Sequence, residues 1–297
     1  MNKPYVLLTG IGGFIGQNVA EYLTNCGIEV VGVYHNNIPS CRIKKKFSCD
    51  LSRDDFESYL GTETIDAIIH FAGQMRGDKI CDYLDNTIGS SRKLIEYAER
   101  TKVNTFIYIS SISVYGETVS QVNESSDIIN PNDYGITKYL CERLLQDAHI
   151  NRRIVIRLPR TLGKGCDLSY PWLPKVTDQL LKNEDVYYTN PELLYNNILY
   201  VDDLSKFLLH LLLEKLTGFE QFVLGAKDKK KIIDILNCLK NSLLSQSKLI
   251  EKPIQERNKC YAIDITHAQE YGFQSRSVDE IIRKFVEDIS ISAGRVT

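Results

Sequence analysis

Tyr134 and Lys138 stand four positions apart in the string NDYGITKYLCERLL. At that spacing, near the start of a predicted helix, both side chains share one face. An ammonium beside a phenol favours the phenolate and draws the phenol down from about 10, which makes the tyrosine usable as acid and base. The pair alone is weak, since both residue types are common on helix surfaces. Upstream, TFIYISS runs into SISVYGE, so Ser111 and Ser113 stand at the carboxyl end of a predicted parallel strand, where ligands bind in open α/β sheets. A hydroxyl there orients a substrate carbonyl toward Tyr134. The string HFAG is a second strand end, where Phe71 precedes Ala72 and Gly73, small enough to let a cofactor lie against the backbone. Tyr134, Lys138 and Ser111 are the expected catalytic set.

The segment YVLLTGIGGFIGQNVAEYL sets Gly10, Gly13 and Gly16 where a strand passes into a helix, with Phe14 and Ile15 beside them as further cofactor contacts. Glycines alone make only a turn. Here the strand, loop and helix agree: the backbone can approach a pyrophosphate, and the helix N-terminus offers free N–H groups and a positive dipole end. Dinucleotide folds usually carry an acid at the end of the second strand, where it accepts from the ribose hydroxyls. This chain has Tyr34, His35, Asn36 and Asn37 there, with Arg42 and Lys44, Lys45 and Lys46 downstream. With no carboxylate to repel a 2'-phosphate, NADP is favoured and NAD is the alternative, although those basic residues read equally well as a solvated loop.

The elements that must position these residues follow from short apolar runs alternating with amphipathic segments. The runs YVLLTG, EVVGVY, AIIHFAG, TFIYISS and RRIVIRL suit strands buried on both sides. Helices are predicted over residues 14–25, 52–60, 86–101 and 134–149. The fold class is α/β: a doubly wound, parallel-sheet dinucleotide-binding (Rossmann) domain with a smaller, interleaved C-terminal substrate domain. Residues 1–160, with a return at about 196–215, make the first. Residues 161–195 and 216–297 make the second, beginning in a Pro- and Gly-rich stretch with one helix near 175–182.

Composition removes other classes. The chain has 297 residues, 43% hydrophobic and 25% charged, with a formal charge of -2, so disorder and a nucleic-acid partner are disfavoured. The longest apolar stretch, FLLHLLL, is far short of the roughly 20 residues of a bilayer span, which predicts no membrane association. The 8 cysteines form no C-x-x-C pair and no metal-ligand spacing, so no metal is expected. They read as reduced thiols of a cytoplasmic protein.

Together these strings resemble the extended short-chain dehydrogenase/reductase family, in particular its NAD(P)-dependent epimerase/dehydratase group acting on nucleotide sugars. The likeness runs from TGIGGFIG through CDLSRD, HFAG, DNTIGSSRKLIEYA, SSISVYGE, YGITK and VIRLPRTLGKG to LYVDDLSKFLL, FVLGAKDKKKIIDIL and AIDITHAQEYGF. The resemblance implies that Asp50 and Leu51 contact the adenine, that Tyr134 is the general acid/base and that Lys138 holds the nicotinamide ribose. It also implies that Ser111 bonds the reacting oxygen, with Ser113 and Asn86 as further contacts, and that the protein is a homodimer. Ile112 and Ser113 replace the acidic pair that dehydrating members carry, which argues against dehydration. Asn196 and Asn197 replace an arginine that grips the diphosphate, and Pro159 and Arg160 replace an asparagine, leaving Arg160, Lys164 or Arg257 as donors. The expected activity is reduction of a keto group on a nucleotide-activated sugar. Epimerisation with tightly held NAD, or dinucleotide sensing without catalysis, are the alternatives.

Overall fold

A computed structural model describes residues 3–62, 64–74, 80–118, 121–170, 172–253 and 262–292, so Arg257 lies outside the described residues. The chain opens with strand β1 (Tyr5–Thr9), helix α1 (Phe14–Asn25) and strands β2 (Glu29–Tyr34), β3 (Lys45–Ser48) and β4 (Ala67–His70). Then come α2 (Ile80–Tyr83), α3 (Ser90–Arg100), β5 (Thr105–Ser111), α4 (Asp133–Asp147), β6 (Arg152–Leu158) and β7 (Arg160–Leu162). After these the chain makes α5 (Leu173–Leu181), β8 (Val186–Tyr188), β9 (Leu194–Tyr195), β10 (Ile198–Tyr200) and α6 (Val201–Leu213). It closes with β11 (Gly218–Val223), β12 (Lys230–Lys231), α7 (Ile232–Ser242), β13 (Leu249–Glu251), α8 (Thr266–Glu270) and α9 (Val278–Ser292).

Seven parallel strands form the main sheet in the order β11-β6-β5-β4-β1-β2-β3. The central strands carry continuous apolar runs because alternate residues enter different cores. Val6 and Leu8, Ile107 and Ile109, Ile154 and Ile156 pack on one face with α1 and α6, while Leu7, Phe106, Tyr108 and Val155 pack on the other with α3 and α4. A third core, including Leu173, Leu180, Ile198, Ile235, Ile281 and Phe285, joins α5, α7 and α9 beyond the carboxyl ends of the strands. Strand order reverses between β1 and β4, whose ends pair Thr9 with His70. A ligand crevice is expected at such a reversal.

The structure departs from the sequence expectations in five places. Residues 52–60 make only a single 3-10 turn at Phe56–Tyr59. The Asp50 carboxylate takes the Ser52 amide at 3.0 Å and the Asp54 carboxylate takes the Asp50 amide at 2.8 Å, competing with a helix. The helix expected from 86 begins in a widened π turn, Leu84–Gly89, before α3. Strand β3 was not anticipated, because an edge strand reading KKFS lacks an apolar run. The return at 196–215 reaches the fold differently: β10 pairs with β7 outside the main sheet, and α6 supplies Leu204, Phe207 and Leu208 to the core that α1 shares. Within 216–297, β11 joins the main sheet beside β6, so that range is divided between the two units.

Candidate active site

The ends of β1, β4, β5 and β6 open onto one cleft of about 900 Å³. Its lining includes Gly10, Gly13, Phe14, Ile15, Gly16, Asp50, Leu51, Phe71, Ala72, Gly73, Asn86, Ser111, Ser113, Tyr134, Lys138 and Arg160, so these residues singled out from the sequence are brought to the same place, while Lys164 is not.

At one end, Gly10 has φ +80, the left-handed region open to glycine, and a Cβ there would lie 2.8 Å from the Ala72 amide nitrogen. A Cβ on Gly12 would come within 2.5 Å of the Asn37 carbonyl, and one on Gly16 would overlap the Gly10 carbonyl. The cradle is thus bare backbone at the N-terminus of a twelve-residue helix, and its shape and donors fit a pyrophosphate. Beyond it, His35 Nε2 lies 3.9 Å from Asp50 Oδ2. Burial opposes ionisation of Asp50, but the Ser52 hydroxyl and amide hold its carboxyl below the usual range. A carboxylate from the end of β3 therefore stands where β2 supplies none. Arg42, Lys44, Lys45 and Lys46 do not line the cleft, and the Lys45 and Lys46 ammoniums are tied to the carbonyls of Leu60, Pro39 and Cys41. This placement gives the charge argument for a 2'-phosphate no support.

At the other end, Asn132 caps α4 by accepting from the Gly135 amide at 2.9 Å. A Cβ on Gly135 would overlap the Ser113 carbonyl, so glycine is what lets the start of α4 approach the β5 end. This brings Tyr134 to Ser111, whose hydroxyl also meets Ser113 Oγ and the Ser113 amide at 3.1 Å each. Lys138 is buried; its ammonium donates to the Ile109 carbonyl at 2.9 Å and lies 4.8 Å from the Tyr108 ring centre and 6.0 Å from that of Tyr134. Burial lowers the Lys138 ammonium to about 8. Burial also pushes the Tyr134 phenol up to about 12, against the pull of the Ser111 hydrogen bond and the Arg160 charge. The sequence assigns the lowering of this phenol to Lys138, whereas the opposing charge is that of Arg160 and burial outweighs it.

The remaining wall is aromatic. Arg160 lies 5.4 Å over the Tyr170 ring, and Trp172 stands 4.5 Å from Tyr195, whose hydroxyl donates to the Asn197 carbonyl at 3.0 Å. Asn196 is spent on structure: its amide donates to Ala226 and Ile263 carbonyls at 3.1 and 2.9 Å and accepts from the Ile263 amide at 2.8 Å. Lys164 is exposed and does not line the cleft. Sequence reasoning missed Gln74, Tyr170, Trp172, Tyr195 and Asn197; only the aromatics clustered in the Pro- and Gly-rich stretch could have signalled them. Among the described residues no cluster suits a metal ion, and no helix is long and apolar enough to cross a membrane. Cys26, Cys41, Cys49, Cys81, Cys141, Cys166 and Cys238 are free thiols.

The chain is similar to a dTDP-D-glucose 4,6-dehydratase of Dictyostelium discoideum, 26% identical over 67% of this chain and 53% of that one. It is also similar to a UDP-glucose 4-epimerase of Bacillus subtilis, 30% identical over 48% of each. The chain spans about half the length of these curated relatives in the matched region. Solved structures share the fold nearly end to end. A UDP-glucose 4-epimerase of Thermotoga maritima with UDP-glucose superposes with TM-score 0.82 at 22% identity, over 97% of this chain and 99% of that one. A UDP-N-acetylglucosamine 4-epimerase of Methanobrevibacter ruminantium superposes with TM-score 0.84 at 20% identity, over 99% and 100%. The family model for the NAD dependent epimerase/dehydratase family matches residues 6–225. The chain belongs to that family.

Proposed function

We propose that this protein is a nucleotide-sugar epimerase that keeps NAD through its cycle. The observation that carries the reading is the meeting of Ser111, Tyr134 and Lys138 in the cleft that begins at the glycine cradle. When bound, the dinucleotide supplies a hydride acceptor and donor. Beside the positive nicotinamide ring, whose charge opposes the effect of burial and favours the phenolate, Tyr134 takes the proton of the sugar hydroxyl as the carbon is oxidised and returns it after the sugar presents its other face. Ser111, with Ser113 beside it, holds the reacting oxygen. Lys138 holds the nicotinamide ribose, its ammonium anchored on the Ile109 carbonyl. Gly10, Gly13, Phe14, Ile15 and Gly16 hold the pyrophosphate, with Asp50 and Leu51 at the adenosine end and Phe71, Ala72 and Gly73 along the cofactor. Asn86 and Arg160 face the sugar nucleotide, with Arg160 braced on Tyr170. Ile112 and Ser113 in place of an acidic pair leave elimination of water without its extra acid and base. The Asp50 carboxylate and the absence of Arg42 and Lys44 to Lys46 from the lining favour NAD over NADP.

The test is mass spectrometry of the small molecule retained by the purified protein, followed by incubation with UDP-hexoses of either configuration at the epimerised carbon. An epimerase interconverts them with no net change in nicotinamide absorbance. Steady consumption of added NADH or NADPH with a keto-sugar would replace this reading with the reductase, and no dinucleotide affinity at all would sink both.

The outer face of α4 exposes Ile136, Leu140 and Leu144 at four-residue spacing, and Ile80 and Leu84 are exposed on the neighbouring segment. We propose that a second copy of this chain covers that stripe. Light scattering that gives a monomer mass for the wild type at micromolar concentration would reject the pairing.

A further inference from the structure

The end of β4 carries a histidine that the chemistry above does not use. His70 is fully buried, and burial lowers it to about 3. Its Nδ1 lies 2.6 Å from Thr9 Oγ1 and its Nε2 lies 3.0 Å from Ser91 Oγ. Each neighbouring hydroxyl has a further partner. Ser91 Oγ gives its proton to the Thr87 carbonyl at 2.7 Å, and Thr9 Oγ1 accepts from the Ala72 amide at 3.3 Å. A hydroxyl has one proton to give. Since Ser91 donates to a carbonyl, it must accept from His70 Nε2–H. Nδ1 is then a lone pair that takes the Thr9 proton, which leaves Thr9 free to accept from Ala72. The opposite tautomer would make Nδ1 a donor to Thr9 and strand the Thr9 proton. The bonds therefore run in one direction, from the Ala72 amide through Thr9, His70 and Ser91 to the Thr87 carbonyl.

One end of this chain, Ala72, lines the cleft, and the other, Thr87, is buried next to the lining residue Asn86. Thr9 immediately precedes Gly10, and Ala72 is the residue against which Gly10 closes. Thr87 sits in the π turn, a feature common at functional sites. Its hydroxyl accepts from the Gln74 amide at 3.0 Å, and the side chain of Gln74 takes the Asn86 amide at 2.6 Å. The Thr87 carbonyl also takes the Cys141 thiol, one turn after Lys138 on α4. We propose that His70, held as the Nε2–H tautomer, is a positioning residue that sets the phosphate cradle and the Asn86 wall at one fixed separation. The tautomer stands on hydrogen-bond directions alone. The part played toward the dinucleotide rests on the reading of the cleft as a cofactor site.

Two measurements decide it. In isotope-labelled full-length protein, long-range nitrogen–proton correlations should show His70 protonated at Nε2 and bare at Nδ1, unchanged from about pH 5 to about pH 9. A ring protonated at Nδ1, or one that titrates in that window, overturns the proposal even if no variant folds. Ser91 does not line the cleft, so Ser91→Ala reaches the dinucleotide only through its bonds to His70 and Thr87, the last links of this chain. The dissociation constant for NAD should rise about tenfold in Ser91→Ala, as the loss of a buried partner predicts. A folded Ser91→Ala protein with wild-type affinity overturns the positioning role. Wild-type protein that shows the expected tautomer and no affinity for NAD would instead sink the cofactor reading and the positioning role with it, a failure distinct from a wrong tautomer.

Discussion

Gly16 turns its α-carbon onto the carbonyl oxygen of Gly10, leaving no room for even one methyl group, whereas a Cβ on Gly13 would rest 3.4 Å from the same oxygen. Gly13 also has extended backbone, φ -90 and ψ 159, which any residue adopts. The two glycines therefore serve different ends. Gly16→Ala should cost stability, about 1–3 kcal/mol as for other overpacked sites, because the neighbour is backbone and must move. Gly13→Val should stay folded yet lose most of its affinity for the dinucleotide, because the side chain enters the space where the pyrophosphate is expected. Urea melts together with dinucleotide titrations separate the two; a Gly13→Val protein that binds as tightly as wild type would show the loop to be only a turn.

Tyr134→Phe removes one oxygen at the mouth of the cleft and leaves the ring to pack. Turnover should fall by about 10²–10⁴-fold, the usual contribution of a positioned acid or base, with dinucleotide affinity nearly unchanged. A loss of affinity in parallel with turnover would mean that Tyr134 shapes the site and moves no proton.

Much of this site was legible because strand ends announce themselves. TFIYISS and AIIHFAG carry apolar runs that end in small or polar residues, which is how β5 and the turn just after β4 deliver Ser111 and Ala72 to the crevice. The Tyr134 and Lys138 spacing was equally visible, since α4 turns both toward the cleft. What sequence could not show was long-range. Asp50 supplies from β3 the carboxylate that seemed missing from β2, and that strand has no pattern to find. Thr9, His70 and Ser91 look like ordinary strand and helix residues until the sheet brings them together. The aromatic wall of Tyr170, Trp172 and Tyr195 comes from loop residues and the short strand β9, and Trp172 and Tyr195 pack against the third core.

Lys138 gives a pH test in which activity and stability move in opposite directions. Burial lowers its ammonium from 10.5 to about 8 in the folded protein. If the charged form holds the ribose, kcat/KM should decline as pH rises through about 8. Between about 8 and 10.5 the unfolded chain binds more protons than the folded one, so the contribution of this group to stability should increase with pH there, by at most about 1.4 kcal/mol per unit. Comparing denaturation of the wild type and Lys138→Met across that range isolates the effect. A wild type that loses stability relative to the variant as pH rises would contradict the assigned direction.

Behind the cleft, Glu142 and Arg157 form an ion pair in which both side chains are only 3% exposed. The Arg157 Nε and Nη2 donate to Glu142 at 3.0 and 2.7 Å, Ser110 adds a donor at 2.5 Å, and the guanidinium lies 4.8 Å over the Tyr115 ring. The pair ties α4, one turn after Lys138, to β5 just before Ser111 and to β6. Breaking such a pair on one side strands a buried charge and typically costs about 3–5 kcal/mol, whereas replacing both partners with apolar residues of similar volume is often neutral. Glu142→Leu should accordingly lower stability by that amount, and adding Arg157→Met should restore most of it. Turnover should not return with stability, because Ser110 remains without its acceptor and the strand and helix that present Ser111 and Lys138 lose the buried ionic tie between them, keeping only the Lys138 bond to the Ile109 carbonyl and the Tyr134 bond to Ser111. Urea denaturation and steady-state kinetics on the single and double variants read the two effects separately. Full recovery of turnover in the double variant would show that the pair serves the fold and not the geometry of the site.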